Sequence, residues 1–222
     1  MSVFHVISAR PNPGRRDEVV DRVREKLSIT ERLATGFKGL KLYSSSIDGV
    51  GTGVLHMAIE YEDYSCWATS YQNEMHDERS RDLLKRATGS EMPVDSHRAV
   101  LLEDRIKDPS REFTIGPVLQ MSVVQVKPGR AGDIPATRER VAELAVRSGA
   151  RDYRSLEYVI SGPTNAGLAL AIFYFEDFKA LETSLQQQRN DPDWIELWNE
   201  LASPDSPVEI KGQRILTEVP LR

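Results

Sequence analysis

Ala169-Leu-Ala-Ile-Phe-Tyr-Phe-Glu-Asp177, followed by Phe178-Lys-Ala-Leu-Glu-Thr-Ser-Leu185, reads as an apolar strand that stops at an aspartate and turns into a helix. The same pattern occurs earlier, in His56-Met-Ala-Ile-Glu-Tyr-Glu-Asp63 and Tyr64-Ser-Cys-Trp-Ala-Thr-Ser-Tyr71. With an offset of 114, Tyr61, Asp63, Tyr64, Trp67 and Tyr71 fall on Phe175, Asp177, Phe178, Leu181 and Leu185. Matched apolar positions around a shared aspartate mark an internal repeat, and a repeat decides the architecture before any single element does.

Working outward, the first copy begins with a β-prone run, Val3 to Ala9, and the turn Pro11-Asn-Pro-Gly14. Gly14 to Thr35 carries Val19, Val20, Val23, Leu27 and Leu33 among charges, with Asp17 and Glu18 suiting a helix N-terminus and Gly36 in the C′ role. Phe37 to Ile47 and Gly53 to Glu62 are strands around an Asp48-Gly49 turn. Asp63 is an N-cap, and Tyr64, Trp67, Tyr71 and Met75 follow at helical spacing. The pattern weakens near His76-Asp77, resumes through Leu83 and Leu84, and ends in a strand from His97 to Ile106.

Polar, proline-containing Lys107 to Glu112 reads as a linker, and the order then repeats. Val118 to Val126 is a strand, and Pro128-Gly129 matches Pro13-Gly14. Ile134 to Val146 is a helix ending at Gly149; Tyr153 to Ser161 and Gly167 to Phe175 are strands around Gly162-Pro163. Asp177 and Asp191-Pro192 start helices, the second with a Trp194, Ile195, Trp198, Leu201 stripe. Val208 to Val219 closes the copy, and an offset of 116 sets His97-Arg98 on Gln213-Arg214. The expected units are 1–107 and 117–222, joined by a linker at 108–116. A β-α-β-β-α-β unit forms a four-stranded antiparallel sheet with both helices on one face. Its bare face needs a partner, and a tandem chain supplies one. The expected fold class is therefore α+β: two ferredoxin-like units packed sheet to sheet as an α+β barrel.

The chain has 222 residues, 40% hydrophobic and 28% charged, enough to bury a core. A net charge of −5 disfavours a nucleic-acid partner, which needs a basic face. With a strand at the start, no secretory signal is expected, and no apolar run is long enough to span a bilayer. A lone cysteine, Cys66, excludes an intramolecular disulfide and a Cys-based zinc site, so a cytoplasmic setting is expected. No His-x-His or His-x3-His pair suggests a metal, and no Walker, Gly-x-Gly-x-x-Gly or Gly-x-Ser-x-Gly motif is present.

Three segments carry a family resemblance: Val126-Lys-Pro-Gly129, Phe175-Glu-Asp-Phe178 and Arg189-Asn-Asp-Pro-Asp-Trp194. With them the chain resembles the dimeric α+β barrel superfamily, once per half. The Asp-Pro-x-Trp run is similar to NIPSNAP-type proteins. The first half, with Asp63-Tyr-Ser-Cys-Trp67 and His76, resembles antibiotic-biosynthesis-monooxygenase domains. The resemblance implies a small-molecule ligand and, among activities, a cofactor-independent oxygenase or another proton-abstracting enzyme. It equally implies a non-catalytic binding or assembly protein and, ranked behind these, a haem-binding or haem-degrading one, so no cofactor is expected first. The tandem chain can in turn pair as a homodimer.

All four histidines lie in the first half, while His5 matches Gln120 in the second. In a ferredoxin-like sheet the first strand lies between the third and fourth, so the backbones of His5, His56 and His97 are neighbours. One reading makes them catalytic, with a histidine as general base in a first-unit cleft. The other makes them hydrogen-bonded and inert. Trp67, Tyr71, His76 and Arg98 are the candidate substrate-binding residues, against a packing stripe and a structural ion pair. Trp67 and His76 resemble the Trp and His of haem-degrading relatives, but nine residues turn a helix by about 900°, which sets them on opposite faces. An enzyme is expected to hold an apolar pocket of ~300 Å3 or more lined by these histidines, and a filled interior suits a binding protein.

Overall fold

The computed structural model describes residues 1–48, 51–89, 92–106, 116–160 and 167–222, with the side chains of Ser96, His97 and Ile160 outside that description. The first unit comprises β1 (Val3–Pro11), α1 (Arg16–Leu33), β2 (Phe37–Ile47), β3 (Leu55–Tyr61), α2 (Tyr64–His76), α3 (Glu78–Thr88) and β4 (Val94–Asp104). The second comprises β5 (Val118–Val126), α4 (Ile134–Arg147), β6 (Asp152–Ile160), β7 (Leu168–Phe175), α5 (Phe178–Asn190), α6 (Pro192–Ala202) and β8 (Val208–Glu218). The expected order holds in both units. The Asp48-Gly49 turn lies partly, the Gly162-Pro163 turn wholly, and the 108–116 linker except for Gly116, outside the described residues. No described helix is long and apolar enough to cross a membrane.

Local chemistry repeats with the elements. Asp63 and Asp177 share extended backbone (φ −160° and −158°) and accept the N–H of Cys66 and Ala180 at 2.8 and 2.7 Å. Asp77 and Asp191 end one helix and cap the next, at φ −81° and −77°. Each is gripped by an arginine from the end of the unit's first helix, Arg32 at 2.8 Å and Arg147 at 2.7 Å. Gly14 and Gly129 make the same turn at φ +75° and +78°, a region that only glycine enters freely. Gly36, expected at C′, lies one residue further on. Helix α1 is capped by Ala34, and Gly36 turns the chain into β2 at φ +58°.

The eight strands form a closed barrel in the order β1-β3-β2-β8-β5-β7-β6-β4. Every neighbouring pair is antiparallel, and β2·β8 and β4·β6 are the seams between units. Alternate residues face inward. Phe4, Leu102, Leu119, Met121, Leu156, Leu170, Ile172, Tyr174 and Leu216 fill the interior. The outward faces carry two further cores under the helices, one around Val19, Leu42 and Ile59, the other around Val141, Phe173 and Trp194.

Register corrects one alignment. Gln213 pairs with Ser122, whose counterpart Ile7 pairs with Ala99; Gln213 therefore answers to Ala99, not His97, and Arg98 answers to Gly212. The error was two residues, and a slip of two leaves every side chain on its original face. The pattern of alternation is blind to it.

At one end the barrel is closed by charge. Arg154, 2% exposed, reaches Asp104 at 2.9 Å, Asp152 at 3.0 Å and Glu60 at 3.4 Å, with its guanidinium over the Phe4 ring. Arginine cannot shed its proton to escape burial, so the carboxylates must accompany it. Replacing Arg154 with Met is expected to destabilise the fold by about 3–5 kcal/mol, because three buried carboxylates lose their shared cation. Chemical denaturation checks this, and an unchanged midpoint refutes it. Asp63→Ala and Asp177→Ala, each deleting one cap, are expected to cost about 1 kcal/mol apiece by the same measurement.

Candidate functional site

Strand register separates the histidines. His5 sits opposite Ile59 and Leu101 and faces the helices; His56 sits opposite Ser8 and Tyr43 and faces the barrel interior. His97 is opposite Ala9 in β4, and its side chain lies outside the described residues. The three strands are adjacent, as expected, but His56 and His97 lie opposite Ser8 and Ala9, three and four residues along β1 from His5, and His5 and His56 point to opposite sides of one sheet. The His5 ring meets Trp67 edge-on at 6.5 Å, and burial together with the Lys26 charge lowers its pKa to about 4.

His56 is tied at both nitrogens: Nδ1 to Ser8 Oγ and Nε2 to Ser45 Oγ, each at 2.8 Å. Ser45 has one proton, and donates it to Asp48 at 3.4 Å. Its oxygen therefore accepts from Nε2–H, which leaves Nδ1 as acceptor for the Ser8 hydroxyl. Asp48 also binds Arg214 at 2.7 Å. Burial, with the Arg214 charge, lowers the His56 pKa to about 4, so the ring is neutral at neutral pH.

The remaining candidates are dispersed. Trp67 and Tyr71 stack at 5.9 Å on α2, with Tyr71 exposed and the Trp67 indole nitrogen buried without a hydrogen-bond partner. His76 is exposed at the last turn of α2. Arg98 is exposed on β4, its guanidinium 5.8 Å from the Tyr158 ring centre across the second seam. Cys66 is held protonated, its pKa raised by partial burial and by Asp63.

A cavity of about 80 Å3 lies in the second unit, between the sheet and helices α4 and α6. Phe173, Trp194, Trp198 and Val141 line it with Ala169, Ala171, Ser122, Ser155 and Arg138. No candidate histidine lines it. The first unit has Leu55 and Met57 where the second has Ala169 and Ala171, Ile7 for Ser122, and Leu42 for Ser155. Large side chains fill the first cleft; small ones open the second. The cleft expected in the first unit is therefore matched by space in the second. The signal lies in the repeat as a size difference at matched positions, which no titratable residue marks.

Within the cleft Arg138 donates to Ser155 Oγ at 2.9 Å and pairs with Glu157 at 2.6 Å. Burial pushes Tyr153 up to about 12. The residues of this cleft do not fit a haem. An axial ligand is needed; the cleft offers no His, Cys or Met, and burial holds its Tyr153 protonated. Its volume falls well below the ~300 Å3 at which cofactor-sized pockets begin. No group of His, Cys, Asp or Glu side chains arranged to hold a metal occurs among the described residues.

The two buried imidazoles make stability pH-dependent. Their folded pKa of about 4 lies below the ordinary 6.5, so between these values the unfolded chain binds protons that the fold refuses. Stability is fully present above pH 6.5 and is lost as pH falls to about 4, by on the order of 2–3 kcal/mol per histidine. Thermal melting across that window is expected to show the loss. His5→Gln with His56→Gln is expected to flatten it, and an equally steep curve in the double variant refutes the assignment.

No family model matches the chain, and no curated protein matches it. Solved structures do. A candidate monooxygenase from Fusobacterium nucleatum overlays with a TM-score of 0.69 at 12% identity, covering 100% of this chain and 93% of that one. A candidate monooxygenase from Lactobacillus acidophilus gives 0.63 at 11%, covering 100% and 94%. An anthrone oxidase-like protein gives 0.65 at 13%, covering 99% and 91%. At these identities the likeness is one of fold. The eight-stranded ring, its two seams and its outer helices make this chain an α+β barrel folded from two ferredoxin-like units in a single polypeptide.

Proposed function

We propose that the protein binds a small apolar molecule in the second-unit cleft, as a binding module rather than a catalyst. The observation that carries this is the cavity itself, walled by Trp194, Trp198 and Phe173 and opened by Ala169 and Ala171. Aromatic walls with a few polar groups are the usual make-up of a small-molecule site. A cavity of about 80 Å3 suits a single ring or a short aliphatic chain. Engineered apolar cavities of roughly 150 Å3 stay dry and take up benzene.

Proton abstraction needs a base beside the bound molecule. The cleft's titratable groups are Arg138, committed to Glu157, and Tyr153, protonated until about pH 12. Neither is a base at neutral pH. Among the described histidines, His56 has an Nδ1 lone pair that accepts from a hydroxyl, that of Ser8, and it lies across the sheet in the other unit.

Benzene is expected to raise the melting temperature of the wild-type protein and to quench its tryptophan fluorescence. Ala171→Met installs the first unit's residue and fills the cavity. It is expected to abolish both effects while changing stability by no more than about 1–3 kcal/mol. No response of the wild type, or an equal response of the variant, rejects the reading.

A further inference from the structure

The barrel has a second end, opposite Arg154. There the interior is only half-buried: Ser8, Val6, Val123 and Tyr158 all retain solvent exposure. The two units furnish this mouth differently. Ser8, His56 and Arg98 sit side by side on three strands of the first unit. Their counterparts in the second, by register, are Val123, Leu170 and Gly212. One wall is polar and the facing wall apolar, on a backbone that is otherwise repeated.

The polar wall is satisfied except at one point. Ser8, His56, Ser45, Asp48 and Arg214 form a hydrogen-bonded chain in which every charge is matched. His56 is neutral, and Arg214 and Asp48 cancel. Among the described residues Arg98 has no carboxylate, only the face of Tyr158. Among the described residues the mouth therefore presents the Arg98 guanidinium without an opposing carboxylate, next to Ser8 and across from Val123, Leu170 and Tyr158.

We propose that the barrel mouth binds a small aromatic monocarboxylate, with Arg98 taking the carboxylate and Val123, Leu170 and Tyr158 packing on the ring. A single guanidinium matches a monoanion, and its planar donor fork suits two carboxylate oxygens. The apolar wall selects an organic anion over an inorganic one. The mouth lies inside the barrel ring, while the cleft lies outside it beneath the helices, so the two sites are independent.

Benzoate is the probe, titrated into the full chain by calorimetry and by amide chemical shifts at Ser8, His56 and Arg98. Wild type and Ala171→Met are expected to bind it alike, since the cleft is not involved. Arg98→Gln, an exposed change, is expected to weaken binding by about tenfold to a hundredfold, the effect of losing one charge-assisted pair. Benzamide and inorganic phosphate are expected to bind at least about tenfold more weakly than benzoate. Unchanged affinity in Arg98→Gln, equal affinity for benzamide or phosphate, loss of binding in Ala171→Met, or no wild-type binding at millimolar benzoate would each overturn the proposal.

Discussion

Unpaired strand edges are the constraint on which this molecule is built. A four-stranded sheet has two of them, each a row of N–H and C=O groups without partners, and a bare face opposite its helices. The seams β2·β8 and β4·β6 remove all four edges at once. The same closure buries Phe4, Leu102, Leu119 and Leu216 in one shared interior. Neither unit can complete its hydrogen bonds or its core without the other. Lys41 with Glu218 ties one seam on the inner face, and the other is tied from outside by Arg105 with Glu157 and from within by the Arg154 cluster.

Closure fixes the backbone, which leaves the side chains of the two copies free to diverge. They have done so in opposite senses on the two faces of the sheet. On the helix side the first unit has large residues, Leu55 and Met57, where the second has Ala169 and Ala171. Inside the ring the first unit has Ser8 and His56 where the second has Val123 and Leu170. Space and polarity have thus been parcelled out to different units, and neither copy is simply the worn version of the other.

The architecture was legible because it rests on local rules that the sequence states twice. Asp63 and Asp177 as caps, the Pro-Gly turns and the period-two strands all survive translation to structure, since each depends on neighbours in the chain. Placement of the site was less legible, because it depends on which face a residue takes and on how much room its neighbours leave. His5 and His56 lie on adjacent strands and look alike in sequence, yet register sends them to opposite sides. Arg98 and Arg214 looked like repeats of one another, and a two-residue slip hid that, among the described residues, Arg214 pairs with Asp48 while Arg98 meets the Tyr158 ring. Ala171 gave no chemical signal at all; its meaning is the missing volume of Met57.

The seams differ in how far apart along the chain their strands lie. Arg105 and Glu157 are 52 positions apart, Lys41 and Glu218 are 177. The longer loop costs only about 1 kcal/mol more in chain entropy, because that cost grows with the logarithm of length. The order of events is affected more than the balance. The β4·β6 seam, with its buried ion cluster, has the shorter search and is expected to form first. The β2·β8 seam is then the expected latch: until β8 pairs with it, β2 presents an open edge to whatever chain is nearby.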